Sequence, residues 1–464
     1  MKRKYLTNLI NWYNNPKRKP LIIWGARQVG KTYLVKKLFS EEYIKTNYVY
    51  IDFRIEDDIR EYCDNNVDPK KIMSFISSSK NVKIDENTLL IFDEIQECLG
   101  IITSLKYFCQ DFRKQPVIAT GSMVRIKLNR ISKKRGVSNG NKFLFPVGKI
   151  NQLTVYPLSF EEFLINYNEH LYNHICECYK AKKALEKQYH ELALDTLYKY
   201  LLIGGMPEAV DVFLEDESYY DSREVLKELY DNYLSDMMLY QASPESIIRT
   251  KSIFTNIYSE LNKENKNFKA SLIEKNAKTR DMKTPIDWLT TALITHKSYL
   301  VNERVTSPLI QDENANFRLY LSDIGLFSYQ SGINTASFLN KDINNTLSGI
   351  FFENYVACEL INYGFSKIDN NLKPDKIYNL IVQDFFSLRQ LHKEVGDGGK
   401  DLSLRDLSSG EKQQAILTLI HSIISQYRNN DTIEDFKIFD ITPLFYLNGL
   451  MDTFENIRCF PFRL

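Results

Sequence analysis

The sequence has no uninterrupted apolar run near the roughly eighteen residues that a membrane-spanning helix requires. Its first stretch, Met1 to Pro20, is basic and polar and contains no apolar signal core, so the expectation is a cytoplasmic protein without a membrane partner. An excess of one charge is also missing. Sixty Lys and Arg stand against 59 Asp and Glu, a formal net charge of +1, which excludes a uniformly basic nucleic-acid coat and leaves only local patches. Cysteine is sparse: seven residues, Cys63, Cys98, Cys109, Cys176, Cys178, Cys358 and Cys459, form an odd, scattered set that predicts reduced thiols rather than a disulfide framework. What is present is ordinary globular material, 44% hydrophobic and 26% charged over 464 residues. That length predicts about two to four domains.

A short apolar run, Leu21 to Trp24, leads into Gly25, Ala26, Arg27, Gln28, Val29, Gly30, Lys31 and Thr32, and Tyr33 opens a helical pattern. This is the order strand, loop, helix with the spacing G-x-x-x-x-G-K-[ST], in which glycines let backbone N–H groups close around a phosphate at a helix N-terminus. Gly25 to Tyr33 are therefore the predicted ATP-binding residues. Lys31 is expected to reach the β- and γ-phosphates, and the Thr32 hydroxyl to ligate Mg²⁺.

Such a loop needs a second strand that presents acids to the metal. Leu89 to Phe92 followed by Asp93 and Glu94 supplies it. Asp93 is the predicted Mg²⁺ residue and Glu94 the general base that polarises the attacking water. Gln96 follows as a candidate for orienting the site. A further apolar run, Pro116 to Ala119, ends in Thr120, Gly121 and Ser122. Thr120 or Ser122 is the candidate γ-phosphate sensor, and either also suits an N-cap. With strand candidates at Tyr48 to Phe53 and Val155 to Tyr156, and helical stretches at Asp68 to Ile76 and Ile101 to Phe112, the alternation predicts an α/β fold with a parallel sheet.

From Ser122 to Lys149 there is no acidic residue, against Arg125, Lys127, Arg130, Lys133, Lys134, Arg135, Lys142 and Lys149. Three readings stand open for this basic segment: phosphate contact with DNA or another nucleic acid, an arginine reaching the nucleotide of a neighbouring protomer in an ATP-dependent oligomer, or a solvated loop.

The ordered set of motifs resembles the bacterial and archaeal AAA-like ATPases that carry a C-terminal domain of unknown function ending in a nuclease-like fold. The likeness rests on Gly25 to Thr32, the acidic strand through Gln96, Thr120-Gly121-Ser122, Tyr156 to Phe163, Gly204-Gly205-Met206-Pro207-Glu208, Leu321 to Leu326, and Gly349 to Asn354. It implies a P-loop NTPase domain at 1–165, a helical lid at 166–245, a winged-helix module at 246–335 and a small α/β C-terminal region at 336–464. Residue patterns agree with helices at Tyr219 to Leu239 and from Ile286 beside Pro285. Residues 249–304 hold eleven Lys or Arg against six Asp or Glu, so a winged helix there suits DNA or a protein partner.

Two departures bear on function. Lys149 stands where the family shows arginine before its Pro-Leu-Ser-Phe stretch, which weakens a contact to nucleotide at that point. Glu353 matches a glutamate of the nuclease-like region, but the acidic cluster a metal-dependent nuclease needs is missing downstream, so DNA cleavage is not expected. Further on, Ser408-Ser409-Gly410-Glu411 is similar to the signature of ABC-type ATPases, and it equally reads as a capped helix. His174, Cys176 and Cys178 lie close together but lack a second ligand pair, so a helical surface stretch is expected there, not a metal site. The predicted activity is Mg²⁺-dependent ATP hydrolysis, slow without a partner; the rival is a nucleotide-dependent DNA- or protein-binding regulator with little turnover.

Overall fold

The computed structural model describes residues 1–122, 145–181, 185–240, 243–299, 317–340 and 345–363. It divides into two compact units. The first holds residues 1–157 and takes back 287–294; the second holds 158–286 and resumes at 295.

The first unit is a five-stranded parallel sheet of β1 (Leu21–Trp24), β2 (Tyr48–Asp52), β3 (Leu89–Asp93), β4 (Val117–Thr120) and β5 (Asn151–Thr154), in the order β2-β3-β4-β1-β5. Strands β1, β3 and β4 are buried along their whole length, as expected for unbroken apolar runs covered on both faces. The edge strands differ. β2 alternates between buried and half-buried positions, and β5 is exposed or half-buried throughout.

That polarity explains one displaced expectation. The last strand was expected at Val155 and Tyr156, where the residues are apolar, yet the strand is Asn-Gln-Leu-Thr just before them, paired in register from Leu21↔Asn151 to Trp24↔Thr154. The Val155 N–H still bonds Trp24 O at 2.7 Å. An edge strand needs backbone partners more than apolar side chains.

Crossover helices pack on the sheet. Helix Pro69–Lys80 starts with proline in its first turn and with Asp68 capping the Lys70 N–H. Helix Leu99–Asp111 buries Ile101, Ile102, Leu105 and Phe108 against Phe92 and Ile51 of the sheet core. Each such side chain contributes on the order of 1.5–3 kcal/mol. Helix Tyr33–Ile44 is wound with the wider π-type bonding, closed by Lys45 N–H to Ser40 O at 2.7 Å.

The second unit is mainly helical: Phe160–Tyr167, Glu169–Lys180, Lys187–Ile203, Pro207–Asp216, Tyr219–Tyr240 and Pro244–Leu261, then an antiparallel hairpin of β6 (Thr295–Tyr299) and β7 (Phe317–Leu321), then Ile324–Ser331, Thr335–Leu339 and Asn345–Tyr363. Helix Lys283–Thr291, whose residues from Asp287 on belong to the first unit, begins two residues before Pro285, whose missing N–H falls in the first turn, where no intrahelical bond is lost. Phe160, Phe163, Tyr200 and Phe213 pack edge and face in the core of this unit. Among the described residues, no helix is long and apolar enough to cross a membrane.

Candidate functional site

The strand order puts β4 between β1 and β3, so the carboxyl ends of three adjacent strands carry the loop 25–32, Thr120, and Asp93 with Glu94. In open parallel sheets, ligands bind beyond these carboxyl ends. The loop's glycines are needed for two different reasons. A Cβ on Gly25 would stand 2.5 Å from Val155 O and 2.9 Å from Val29 Cγ2, so close approach excludes any side chain. Gly30 instead has φ of 83°, a left-handed conformation that glycine adopts without strain. Gln28 takes the same region at φ 64°.

Lys31 folds back into the loop that precedes it. Its Nζ donates to Ala26 O at 2.6 Å and to Gly25 O at 3.1 Å. Burial pushes its pKa down to about 8, against the opposing pull of Glu94 and Asp93. A cation held dry on two neutral carbonyls is stabilised far less than one facing an anion, so the group is suited to receiving a negative charge.

Asp93 collects donors from four directions. Thr32 Oγ1 and Tyr50 OH each donate to Oδ2 at 2.8 Å, the Glu94 N–H donates to Oδ1 at 2.9 Å, and Thr120 Oγ1 also donates to Oδ1. The carboxylate is buried. Desolvation and the neighbouring Asp93 charge together drive the Tyr50 phenol far up, so it remains a donor. Thr32 and Asp93, the two expected metal residues, thus meet directly.

Glu94 turns away from this hub through a left-handed backbone, φ 54°. Arg54 NH1 pairs with its Oε1 at 3.0 Å, and Gln96 Nε2 donates to Oε2. Burial raises the pKa of Glu94, while Gln96 and Arg54 pull it back. Thr120 lies within the Asp93 cluster. The Ser122 hydroxyl, two residues further, is buried and has no hydrogen-bond partner among the described residues.

Three contributors were not legible from motif spacing. Arg3 is buried and donates to Val29 O at 3.0 Å and to Tyr156 O at 2.7 Å, tying the apex of the loop to the segment after β5. Its only signal was the basic run Lys2-Arg3-Lys4. Tyr50 and Arg54 come from β2 and the turn after it, and reach the site because β2 pairs with β3 in a register that sets Asp52 opposite Asp93. Of the remaining loop residues, Ala26 and Val29 are buried, Arg27 is half-buried, and Tyr33 is 38% exposed with its hydroxyl accepting from the Met1 amino group.

Elsewhere, Glu353 accepts from Arg318 NH1 and Tyr320 OH, each at 2.9 Å, and from Lys266 Nζ. Burial would raise its pKa, but Lys266 and Arg318 overcome that and hold it low. Among the described residues this glutamate is neutralised by cations and joins no acidic cluster. Lys149 is half-buried in the turn before β5. The basic residues from Arg125 to Lys142 and the segment Ser408 to Glu411 lie outside the described residues.

Residues 17–164 match a family model described as an AAA domain, and residues 194–337 match one described as a domain of unknown function, DUF8612. The AAA-domain match covers most of the first unit, whose five-stranded parallel sheet is that of a P-loop NTPase fold. No curated protein matches the chain. Among solved structures, the chain is similar to the signal transduction ATPase with numerous domains (STAND) protein with a tetratricopeptide repeat sensor from Pyrococcus horikoshii, at 14% identity and a TM-score of 0.25, over 96% of this chain and 53% of that one. This chain therefore spans about half the length of that structure.

Proposed function

We propose that the chain is a Mg²⁺-dependent ATPase that works as a molecular switch, with a resting state held at low turnover. The observation that carries this reading is the convergence of Lys31, Thr32, Asp93 and Glu94 at adjacent strand ends, with Lys31 parked on loop carbonyls and Thr32 parked on Asp93. The residues fit the nucleotide and the metal. Gly25 to Tyr33 form the cradle, Thr32 and Asp93 are the metal pair, and Lys31 offers its charge to the β- and γ-phosphates. Mg²⁺, when bound, neutralises charge on the β- and γ-phosphate oxygens.

Glu94 then serves as general base. It accepts a proton from water as the water oxygen forms its bond to the γ-phosphorus and the bond to the β–γ bridging oxygen breaks. Its raised pKa suits that role, since a base poised nearer neutrality transfers protons more efficiently. Thr120 steadies Asp93, which leaves Ser122, whose buried hydroxyl has no partner among the described residues, as the γ-phosphate sensor. The domain division at 1–165, 166–245, 246–335 and 336–464 belongs to the same reading.

One observation favours the switch over a constitutive hydrolase: Arg54 and Gln96 both hold Glu94. A base engaged in this way must be released before it can take a proton. The order of helix Pro244–Leu261, short helix Ala270–Ile273, helix Lys283–Thr291 and the β6–β7 hairpin supports a winged-helix-like partner module, with DNA or protein as the partner.

Steady-state phosphate release tests the assignment. The wild type should hydrolyse ATP slowly and only with Mg²⁺. Glu94→Gln should bind ATP as well as the wild type yet turn over on the order of 10²–10⁴-fold more slowly. Equal rates in the two proteins would remove Glu94 from the reaction. ATP-dependent, salt-sensitive DNA binding followed by fluorescence anisotropy separates a DNA partner from a protein one.

A further inference from the structure

His174 and Cys178 sit four residues apart on helix Glu169–Lys180, so their side chains rise from one face. Glu186 is the residue immediately before helix Lys187–Ile203. The His174 Nε2 lies 3.0 Å from Glu186 Oε2 and 3.7 Å from Cys178 Sγ, and the three potential ligand atoms all fall within 4.8 Å of one another. The sequence set His174, Cys176 and Cys178 close together and offered no further ligand. The start of the following helix brings Glu186 to His174 and Cys178.

The distances suit a cation. A tetrahedral zinc ion with bonds of about 2.0–2.3 Å has ligand-to-ligand edges of roughly 3.3–3.6 Å. The edges of 3.0 and 3.7 Å bracket that range, so small rotamer changes would close the group around an ion. An ion pair accounts for the His174 and Glu186 contact, and the four-residue spacing places the Cys178 thiol beside the same nitrogen, so three different donors meet at one point. One sulfur, one imidazole nitrogen and one carboxylate oxygen form the mixed donor set of a borderline-soft divalent ion and not that of Mg²⁺ or Ca²⁺. The imidazole is also held in place, with the Tyr189 ring 4.1 Å away, centroid to centroid.

We propose that His174, Cys178 and Glu186 form a three-ligand site for Zn²⁺ that ties the end of one helix to the start of the next. The Glu186 side chain is 61% exposed, so the fourth position opens to water. Cys176, on the same helix, lies outside the ligand group and serves as an internal control.

The test uses the full chain, reduced and freed of metal by chelation, with Co²⁺ as the spectroscopic probe. One equivalent of Co²⁺ should produce a thiolate-to-cobalt charge-transfer band together with the visible bands of a tetrahedral ion, and Zn²⁺ should displace it. Cys178→Ser should abolish the charge-transfer band, His174→Ala should weaken Co²⁺ binding by roughly tenfold or more, and Cys176→Ser should leave the spectrum unchanged. Zn²⁺ should also raise the Tm of the wild type and of Cys176→Ser but not that of Cys178→Ser, a readout that keeps the test valid should a variant be less stable. The thiolate band sets this site apart from Thr32 and Asp93, which offer only oxygen. Absence of the band, its survival in Cys178→Ser, or its loss in Cys176→Ser would overturn the proposal.

Discussion

At the strand ends of the first unit, Lys31 bonds loop carbonyls and Thr32 bonds Asp93, contacts that in the proposed function a bound phosphate and its metal replace. In the second unit, polar side chains of similar burial bond backbone groups that no ligand would supply. Asp323 accepts from Gly205 N–H at 2.7 Å and Leu326 N–H at 2.9 Å, Asn354 brackets Leu321 through both its N–H and its carbonyl, and Glu359 accepts from Phe160 N–H and Tyr200 OH. Both regions are built mainly on motif residues, with Tyr200 and Glu359 added in the second. One set is exchangeable and the other is a knot. The lesson is that a conspicuous polar motif marks a ligand site only where its partners can be given up.

The comparison can be broken most severely at the knot. Asp323→Ala strands two buried N–H groups, each worth about 1–3 kcal/mol, so unfolding in urea should show a loss of roughly 2–6 kcal/mol. Gly205→Ala should act in the same direction, because its Cβ would stand 1.9 Å from Leu158 O.

Charge reversal of this pattern appears at Lys31. Its folded pKa, about 8 because of burial, lies below the unfolded value near 10.4. The native state therefore holds fewer protons between those values, and stability of the nucleotide-free protein should rise as pH increases from 8 toward 10. Lys31→Met should flatten that slope and leave the protein no less stable at pH 7. Asp323 gives the opposite sign: burial raises it to about 6, the native state holds the extra proton, and stability should fall as pH rises from about 4 to 6. Asp323→Asn should remove that fall. Denaturant midpoints across pH measure both.

Smaller effects sharpen the account of the site itself. Arg54→Ala should release Glu94 and raise turnover by several-fold, on the order of 1 kcal/mol of barrier. Tyr50→Phe removes one of the four donors to Asp93 and should weaken Mg²⁺-dependent activation by a few-fold, read from the Mg²⁺ concentration at half-maximal rate.

How far the sequence disclosed this follows the same division. The loop 25–32 and the acids at 93 and 94 were legible because their chemistry demands fixed residue types at fixed spacing. The three buried strands were legible because each is an apolar run, broken in β3 and β4 only by the last residue, Asp93 and Thr120. Strand β5 was misplaced because an edge strand tolerates Asn and Gln. Arg3, Tyr50 and Arg54 reach the site through strand order and register, which local patterns do not encode. The segments Tyr156 to Phe163, Gly204 to Glu208 and Leu321 to Leu326 stood out as motifs, but their role as mutual anchors emerges only when Leu158 N–H meets Gly205 O at 2.6 Å and Asp323 joins them.

Equilibrium titration of Mg²⁺-ATP by calorimetry, comparing the wild type with Lys31→Ala under identical salt, addresses the central claim most directly. The account predicts saturable one-to-one binding by the wild type and a loss of about 100-fold or more in the variant, roughly 2.7 kcal/mol or above. Indistinguishable isotherms for two equally folded proteins would contradict it.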